Sequence, residues 1–500
     1  MRTWRGLAVA TALLLVVAAC GDDDSGSDAS TTTAASSEET TTTAAAEEST
    51  TTTAATATTT TAAGSSDEPV EIRWYIGLGA GGQPEQRDAQ LAVIDAFNAS
   101  QSGIVLVPEI VENEVAFETL ATQIASGNAP DIIGPVGRDG SNAFAGLYLD
   151  IEPLVAASGL DLSIWSGAAV DGQREGDGTL VGLPFASFPS AIYFSRDLFD
   201  EAGLPYPPQE YGPDGLATYG EGTEWEGLWD YEKVAEIGRI LSVDANGVDG
   251  TDASFDTENT VQWGFVWQWT DRLFQQGTFW GGGYPLADDG TADIPQAWED
   301  EWAWYHNAVW VDGFAPSQSE LDALGNAFQS GNVAMAGTHL WYTCCIRDDA
   351  NELPGDFWDY AVMPSYNGTV TANLHADTFR ILGDTDHPAE AFTVLEYLVT
   401  TAALDLLTAY GAAPADLSLT DDFVAALEER YPQGVNWDVV LNSAAFADVP
   451  SHETFLPGWE PYKERMDVLK SALLTDASLD LGAAIAELEA DLTAIFQENA

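Results

Sequence analysis

The chain is poor in positive charge. Its 500 residues carry 16 Lys and Arg against 80 Asp and Glu, a formal charge of −64. Such a surface repels nucleic acid and anionic lipid, and it disfavours anionic small ligands unless a local basic pocket overrides it. Cysteine is scarce too: there are three, Cys20, Cys344 and Cys345. Histidine numbers five, and His339, His375, His387 and His452 lack the spacing of a zinc site. The carboxylate-dense "DANGVDGTD" (244–252) fails the calcium-loop pattern, because Val248 takes a ligand position and the glycine is misplaced. It reads as a surface turn. No metal or other cofactor is expected. Neither G-x-S-x-G nor G-x-x-x-x-G-K-[ST] occurs, which removes the commonest serine-hydrolase and nucleotide-hydrolase signals. Paired acids of a glycosidase leave no sequence motif and stay open. Beyond the N-terminus, no segment is long and apolar enough to cross a membrane.

What is present begins with an export signal. Arg2 and Arg5 precede a short apolar run, Gly6 to Val17, that ends in small residues. The run closes with "VAACG" (17–21), which resembles the lipobox of bacterial lipoproteins, with Val17 where Leu is more usual. That resemblance makes 1–20 a signal peptide and Cys20 the lipid-modified residue. Ordinary cleavage near Ala19 is the alternative. Residues 21–68 are almost entirely Thr, Ala, Ser, Glu, Asp and Gly, with nothing aromatic to bury. They read as a disordered tether with a reach of roughly 35–40 Å.

From Pro69 the pattern changes. "VEIRWYI" (70–76) and "GIVLVPEIV" (103–111) read as strands, and "PDII" (130–133) as a short buried one. Helical spacing falls between them, from Pro84 to Ala99 and over 115–128, so a parallel α/β sheet is expected. One long helix is expected over 387–411, from Pro388 to a stop at Gly411. Leu481, Ile485, Leu488, Leu492 and Ile495 form a stripe that should dock a terminal helix onto the domain.

"GLGAGG" (77–82) satisfies G-x-G-x-x-G between a strand and a helix. No acid ends a strand about 20 residues on, so a nucleotide site is not expected. The glycines suit a turn whose backbone approaches a ligand at a helix N-terminus. Ten of the 17 tryptophans fall between Trp225 and Trp310. Trp298, Trp302 and Trp310 have helical spacing and read as core. Trp267 and Trp269, in "WGFVWQWTD", and Trp280, among glycines, are candidates to stack on sugar rings, with amides and acids binding the hydroxyls.

"ASGNAPDII" (125–133), "GTLVGLPF" (178–185), "AIYFSRDLFDEAGL" (191–204), "AFQSGNVAMAG" (327–337), "HADTFRIL" (375–382) and "HPAEAFTVLEYLVT" (387–400) together resemble the extracellular solute-binding proteins of carbohydrate-type ABC importers. The likeness covers essentially all of 69–500. It implies a two-lobed, periplasmic-binding-protein-like α/β fold of type II, with discontinuous lobes, a hinge and a cleft between them. Lobe one would be 69–188 plus 375–412, and lobe two 189–374 plus 413–450. Residues 451–500 would be C-terminal helices packing on the lobes. The resemblance implies a monomeric, non-enzymatic receptor, lipid-anchored at the outer face of the cytoplasmic membrane. It would hand a carbohydrate to a permease. Receptors for a polyol, a glycerol phosphodiester or a peptide, and a secreted glycosidase, are the alternatives.

By the same resemblance the ligand would meet Gly79, Gly81, Gly82 and Gln83, then Arg138 and Asp139, then Ser187 and Phe188. Trp267, Trp269, Asp271 and Trp280 would follow, with His339, Trp341, Asn373, His375 and Asp377. Trp341 would be the stacking platform. Cys344 and Cys345 are adjacent in an exported protein. They form either a strained vicinal disulfide shaping the loop beside Trp341 or two reduced thiols.

Overall fold

The computed structural model describes residues 68–175, 178–268, 272–346, 357–448 and 456–499, with the side chains of 138, 139, 168 and 344 left aside. Cys20, the tether up to residue 67, Trp269 and Asp271 lie outside the described residues, as do the side chains of Arg138, Asp139 and Cys344.

Three apolar strands open the fold: β1 (Val70–Ile76), β2 (Ile104–Ile110) and β3 (Ile132–Val136). β1 runs parallel to both of the others and lies between them. Parallel strands need crossovers, and α1 (Arg87–Ser100) and α2 (Asn113–Ala125) supply them. α1 buries Gln90, Val93, Ile94 and Phe97, the i, i+3, i+4, i+7 stripe of a helix covering a sheet.

The fourth strand decides the architecture. β4 (Gly182–Ser195) is 14 residues long. Its first part, from Gly182 to Pro189, pairs antiparallel with β8 (Leu374–Ile381), which in turn borders β3. Its last part, from Ser190 on, pairs with β6 (Met335–His339) on one side and β7 (Trp358–Ala361) on the other. β5 (Val266–Trp267) adds to the far edge of β6, and β9 (Ala413–Pro414) pairs with Ala186 and Ser187. Among the described residues this makes one nine-stranded mixed sheet that changes partners at Pro189 and Ser190. Proline has no N–H to give a ladder, so its place where one pairing ends is physically cheap.

The helix expected over 387–411 is two helices, α5 (Pro388–Val399) and α6 (Ala403–Tyr410), bent by 61°. Thr400 breaks it: its backbone leaves the helical region, and its hydroxyl donates to Glu396 O at 2.6 Å. Gly411 does end the second piece, at φ +62°.

A second core lies around the C-terminal helices α7 (Trp459–Thr475) and α8 (Leu481–Asn499). They pack with α3 (Leu273–Thr278) and α4 (Gln296–Trp310) through Phe274, Trp298, Trp302, Met466, Leu469, Leu488 and Leu492. The expected stripe docks here, and Trp298 and Trp302 are core. Trp302 Nε1 donates to Leu273 O at 3.2 Å and Trp310 Nε1 to Leu473 O at 2.8 Å, so the indoles bind helix to helix through polar atoms as well. Leu492 is fully buried. Leu492→Ala is expected to cost about 2–5 kcal/mol, read as a lowered denaturation midpoint in urea.

Candidate ligand-binding site

A cavity of about 670 Å³ opens where the β1 turn, β8, the end of β6, α3 and α7 converge. Its size is that of a small-molecule site.

The glycine turn forms one wall. Gly81 has φ +103°, a conformation in which a side chain is strained, and a Cβ there would meet Ile76 Cγ2 at 2.6 Å. Gly82 allows Asn113 to come close: a Cβ would sit 2.2 Å from Asn113 Oδ1. Asn113, at the start of α2, donates to Gly77 O at 2.9 Å and Gly79 O at 2.8 Å. Gln86 Oε1 accepts from Gly81 N at 2.9 Å and Gln83 N at 3.3 Å. Gln90 Nε2 donates to Gly81 O at 2.8 Å and to Tyr410 Oη at 3.1 Å. The turn is thus fixed before any ligand arrives. Its amides at Gly81 and Gln83 already have partners, which argues against a pyrophosphate cradle.

The opposite wall is aromatic. β6 ends at His339, and the 3-10 turn Leu340–Cys345 then brings Trp341, Tyr342 and Cys345 to the cavity. His339 is fully buried and stacks on the Trp341 indole, with centroids 4.1 Å apart and planes 23° apart. His375 lies 4.7 Å from Trp341 and 4.6 Å from His339. Its ring is steeply inclined to both, at 69° to Trp341 and 83° to His339. Gln275 Nε2 lies 2.9 Å from His375 Nε2 and orients that ring. Phe188 packs near Trp341 at 5.5 Å. A register shift in β8 between Asp377 and Thr378 sits where Asp377 turns toward the glycine wall. Asp377 Oδ2 accepts from Ala80 N at 3.4 Å.

Gly79, Gly81, Gly82, Gln83, Phe188, Trp341, His375 and Asp377 therefore meet on one cavity wall or another. Five other candidates do not reach it. Ser187 is held in the ladder between Ala376 and Ala413. His339 is the backing of Trp341. Asn373 is fully buried and ties α3 to the strand crossing, donating to Gln275 O at 2.8 Å and accepting from Thr278 Oγ1 at 2.9 Å. Trp267 points inward, parallel to Phe279 at 4.7 Å, and the bare Gly337 leaves room for its ring. Trp280 packs against Tyr231 at 4.7 Å and Tyr366 at 4.4 Å and lines a separate pocket with Gly281 and Gly282.

The sequence reading missed Glu112, Asn113, Glu114, Gln268, Arg272, Gln275 and Tyr342, and also Asp467 and Lys470. Asp467 and Lys470 are three apart on α7 and so share a face. The wall carries four carboxylates, Glu112, Glu114, Asp377 and Asp467, against the cations Arg272 and Lys470.

A match to the model of the bacterial extracellular solute-binding protein spans residues 92–430, more than half of the chain. The chain belongs to that family. A second model, of a new glue protein family, matches only residues 1–83. A protein of Brucella abortus strain 2308, named only as a binding protein, is 30% identical over 324 residues, 61% of this chain. The match spans 66% of that relative, just short of two thirds of its length. Among solved structures, an ABC substrate-binding protein from Listeria monocytogenes in complex with cycloalternan gives a TM-score of 0.66 at 18% identity, covering 85% of this chain and 99% of that one. The maltose/maltodextrin-binding domain from Bdellovibrio bacteriovorus bound to maltotriose gives 0.63 at 15% identity, covering 86% and 100%. The fold is the two-lobed periplasmic-binding-protein fold.

Behind this member's cavity lies a buried acid. Glu301 on α4 is fully buried, and its Oε1 accepts from Trp267 Nε1 at 2.7 Å. Burial pushes its carboxyl up to about 8, although the Trp267 bond and the Lys470 charge pull the other way. An unfolded glutamate ionises near pH 4.5. Between that pH and about 8 the folded protein holds a proton that the unfolded chain has lost. The stabilisation from this group is complete below pH 4.5 and is lost as pH rises through about 8. Glu301→Gln stays uncharged at every pH. Urea denaturation should therefore show the variant gaining stability relative to the parent from pH 5 to pH 8. A constant difference would mean that Glu301 is ionised in the fold.

Proposed function

We propose that the protein is a receptor that captures a neutral carbohydrate in this cleft and delivers it to an ABC import permease, with no chemistry of its own. The observation that carries the reading is Trp341. Its indole is held by stacking on His339 and lines the cavity, where it can serve as a platform for the C–H face of a sugar. Around it stand groups that bind hydroxyls: Asn113, Gln83, Gln268, Gln275 and the wall carboxylates. The excess of carboxylates over cations favours a neutral ligand over an anion. The sugar complexes of the two structural relatives support the same choice.

In this reading the lobes are 69–188 with 375–412 and 189–374 with 413–450, and 451–500 packs on them. They close on the ligand because only the closed form makes both sets of contacts. Cys20 carries the lipid that holds the receptor, as a monomer, at the outer face of the cytoplasmic membrane, and 21–68 is the tether. Arg138, Asp139, Trp269 and Asp271 remain candidate contacts, and a Cys344–Cys345 bridge a candidate brace for the Trp341 turn.

A panel of neutral mono- and oligosaccharides, followed by thermal shift and Trp fluorescence, tests the reading. A true ligand at 100 times its Kd should add about 2.7 kcal/mol of stability. Trp341→Ala should weaken it at least tenfold, about 1.4 kcal/mol, at an unchanged melting temperature of the unliganded protein within a few degrees. A panel without a single shift would overturn the carbohydrate reading.

A further inference from the structure

A second cavity of about 290 Å³ lies beside the cleft, between β5, the short helix Gln318–Leu324 and the C-terminal part of α7. Gln268, Tyr342 and Lys470 line both cavities, so these three side chains alone need to shift for the two to be joined. The walls of the second are mainly apolar, from Val266, Trp267, Leu321, Phe328 and Leu474, with Gln276 and Asn326 among them. Its floor is rigid. Trp267 is clamped between its bond to Glu301 and its stack on Phe279, and so cannot swing in to fill the space. Tyr342 Oη donates to Asn326 Oδ1, which pins the tyrosine at the junction. The cavity is partly open to solvent, since Asp322 and Gly325 of its lining are exposed. At about 30 Å³ per water it has room for roughly ten waters, the space that one sugar ring with its hydroxyls fills once water has left.

We infer that this side chamber receives the terminal ring of an oligosaccharide whose other rings lie over Trp341. The ligand is then an oligomer and not a single sugar, and Gln268, Tyr342 and Lys470 form the junction past which it turns. The apolar walls meet the C–H faces of the ring, and the amides and the Lys470 ammonium meet its hydroxyls. Water ordered against mostly apolar walls is the alternative filling, and its displacement by a ring that keeps the polar contacts adds to affinity. The inference rests on the carbohydrate reading of the cleft.

Titration calorimetry with malto-, cello- and xylo-oligosaccharides of one to four rings tests it. In the series that binds, the parent protein should gain at least tenfold in affinity at the ring that reaches the chamber. Leu321→Trp, which fills the chamber from a residue that does not line the cleft, should abolish that gain and leave shorter members within about twofold. Gln318→Trp, on a half-buried position of the same wall, gives the same readout should Leu321→Trp fail to fold. If binding depends on ring number equally in parent and filled variants, or if one ring binds as tightly as three, the chamber inference falls alone. If no member of any series binds the parent, the carbohydrate reading falls and takes the chamber with it.

Discussion

Ser190 and Asn373 exchange two hydrogen bonds at the point where the sheet changes partners. Ser190 N donates to Asn373 O at 3.1 Å, and Asn373 N to Ser190 Oγ at 2.9 Å. Both residues are fully buried. Up to this clip β4 belongs with the strands around β1, and beyond it with β6 and β7. A buried backbone cannot leave its N–H and C=O groups unpaired, so the chain has to re-pair at once on changing neighbours. The side chain of Ser190 supplies the acceptor that the ladder lacks there. Asn373 extends the clip to α3 through Gln275 and Thr278, and α3 carries Gln275 into the cavity. One crossing therefore fixes the register of His375 and Asp377 on β8 and the position of the helix that faces them.

The walls of the cleft are stiff for different reasons. The glycine turn is held by side-chain amides: Asn113 from α2, and Gln86 and Gln90 one helical turn apart. The aromatic wall is held by stacking, with His339 behind Trp341 and His375 at its side. Neither wall has to reorganise to meet a ligand, which keeps the ordering cost of binding low.

The strand–helix–strand start was legible because hydrophobic period and glycine or proline punctuation agree there. Leu120 and Ile132 are buried as the helical and strand readings require, and Pro84 opens a 3-10 turn that leads into α1. The family landmarks carried the crossing strands, and with them Phe188, His375 and Asp377. The tryptophans were the weak point. A tryptophan beside glycine reads the same whether the glycine exposes the ring or, as Gly337 does for Trp267, makes room to bury it. Trp280, among Gly281 to Gly283, packs on Tyr231 and Tyr366, far away in sequence, and borders a different pocket from the one Trp341 lines. Asp467 and Lys470 could not be found by motif at all. They reach the cleft because α7 is docked by Trp459, Met466 and Leu469 from the buried side of the same helix, a tertiary fact with only an amphipathic pattern to announce it.

The acidity of the chain takes a particular form at the cleft. Glu112 and Glu114 stand at the start of α2, where unpaired backbone N–H groups favour negative charge. Their placement costs the fold little, and it gives the entrance acceptors for hydroxyl donors. The two cations of the wall arrive on other elements, Arg272 at the head of α3 and Lys470 on α7, both rooted in the second core. Lys470 also acts on Glu301, the acid buried behind Trp267. The second core thus places a cation where two cavities adjoin. A chain of net charge −64 can in this way present a locally mixed, hydrogen-bonding wall on a predominantly negative molecule.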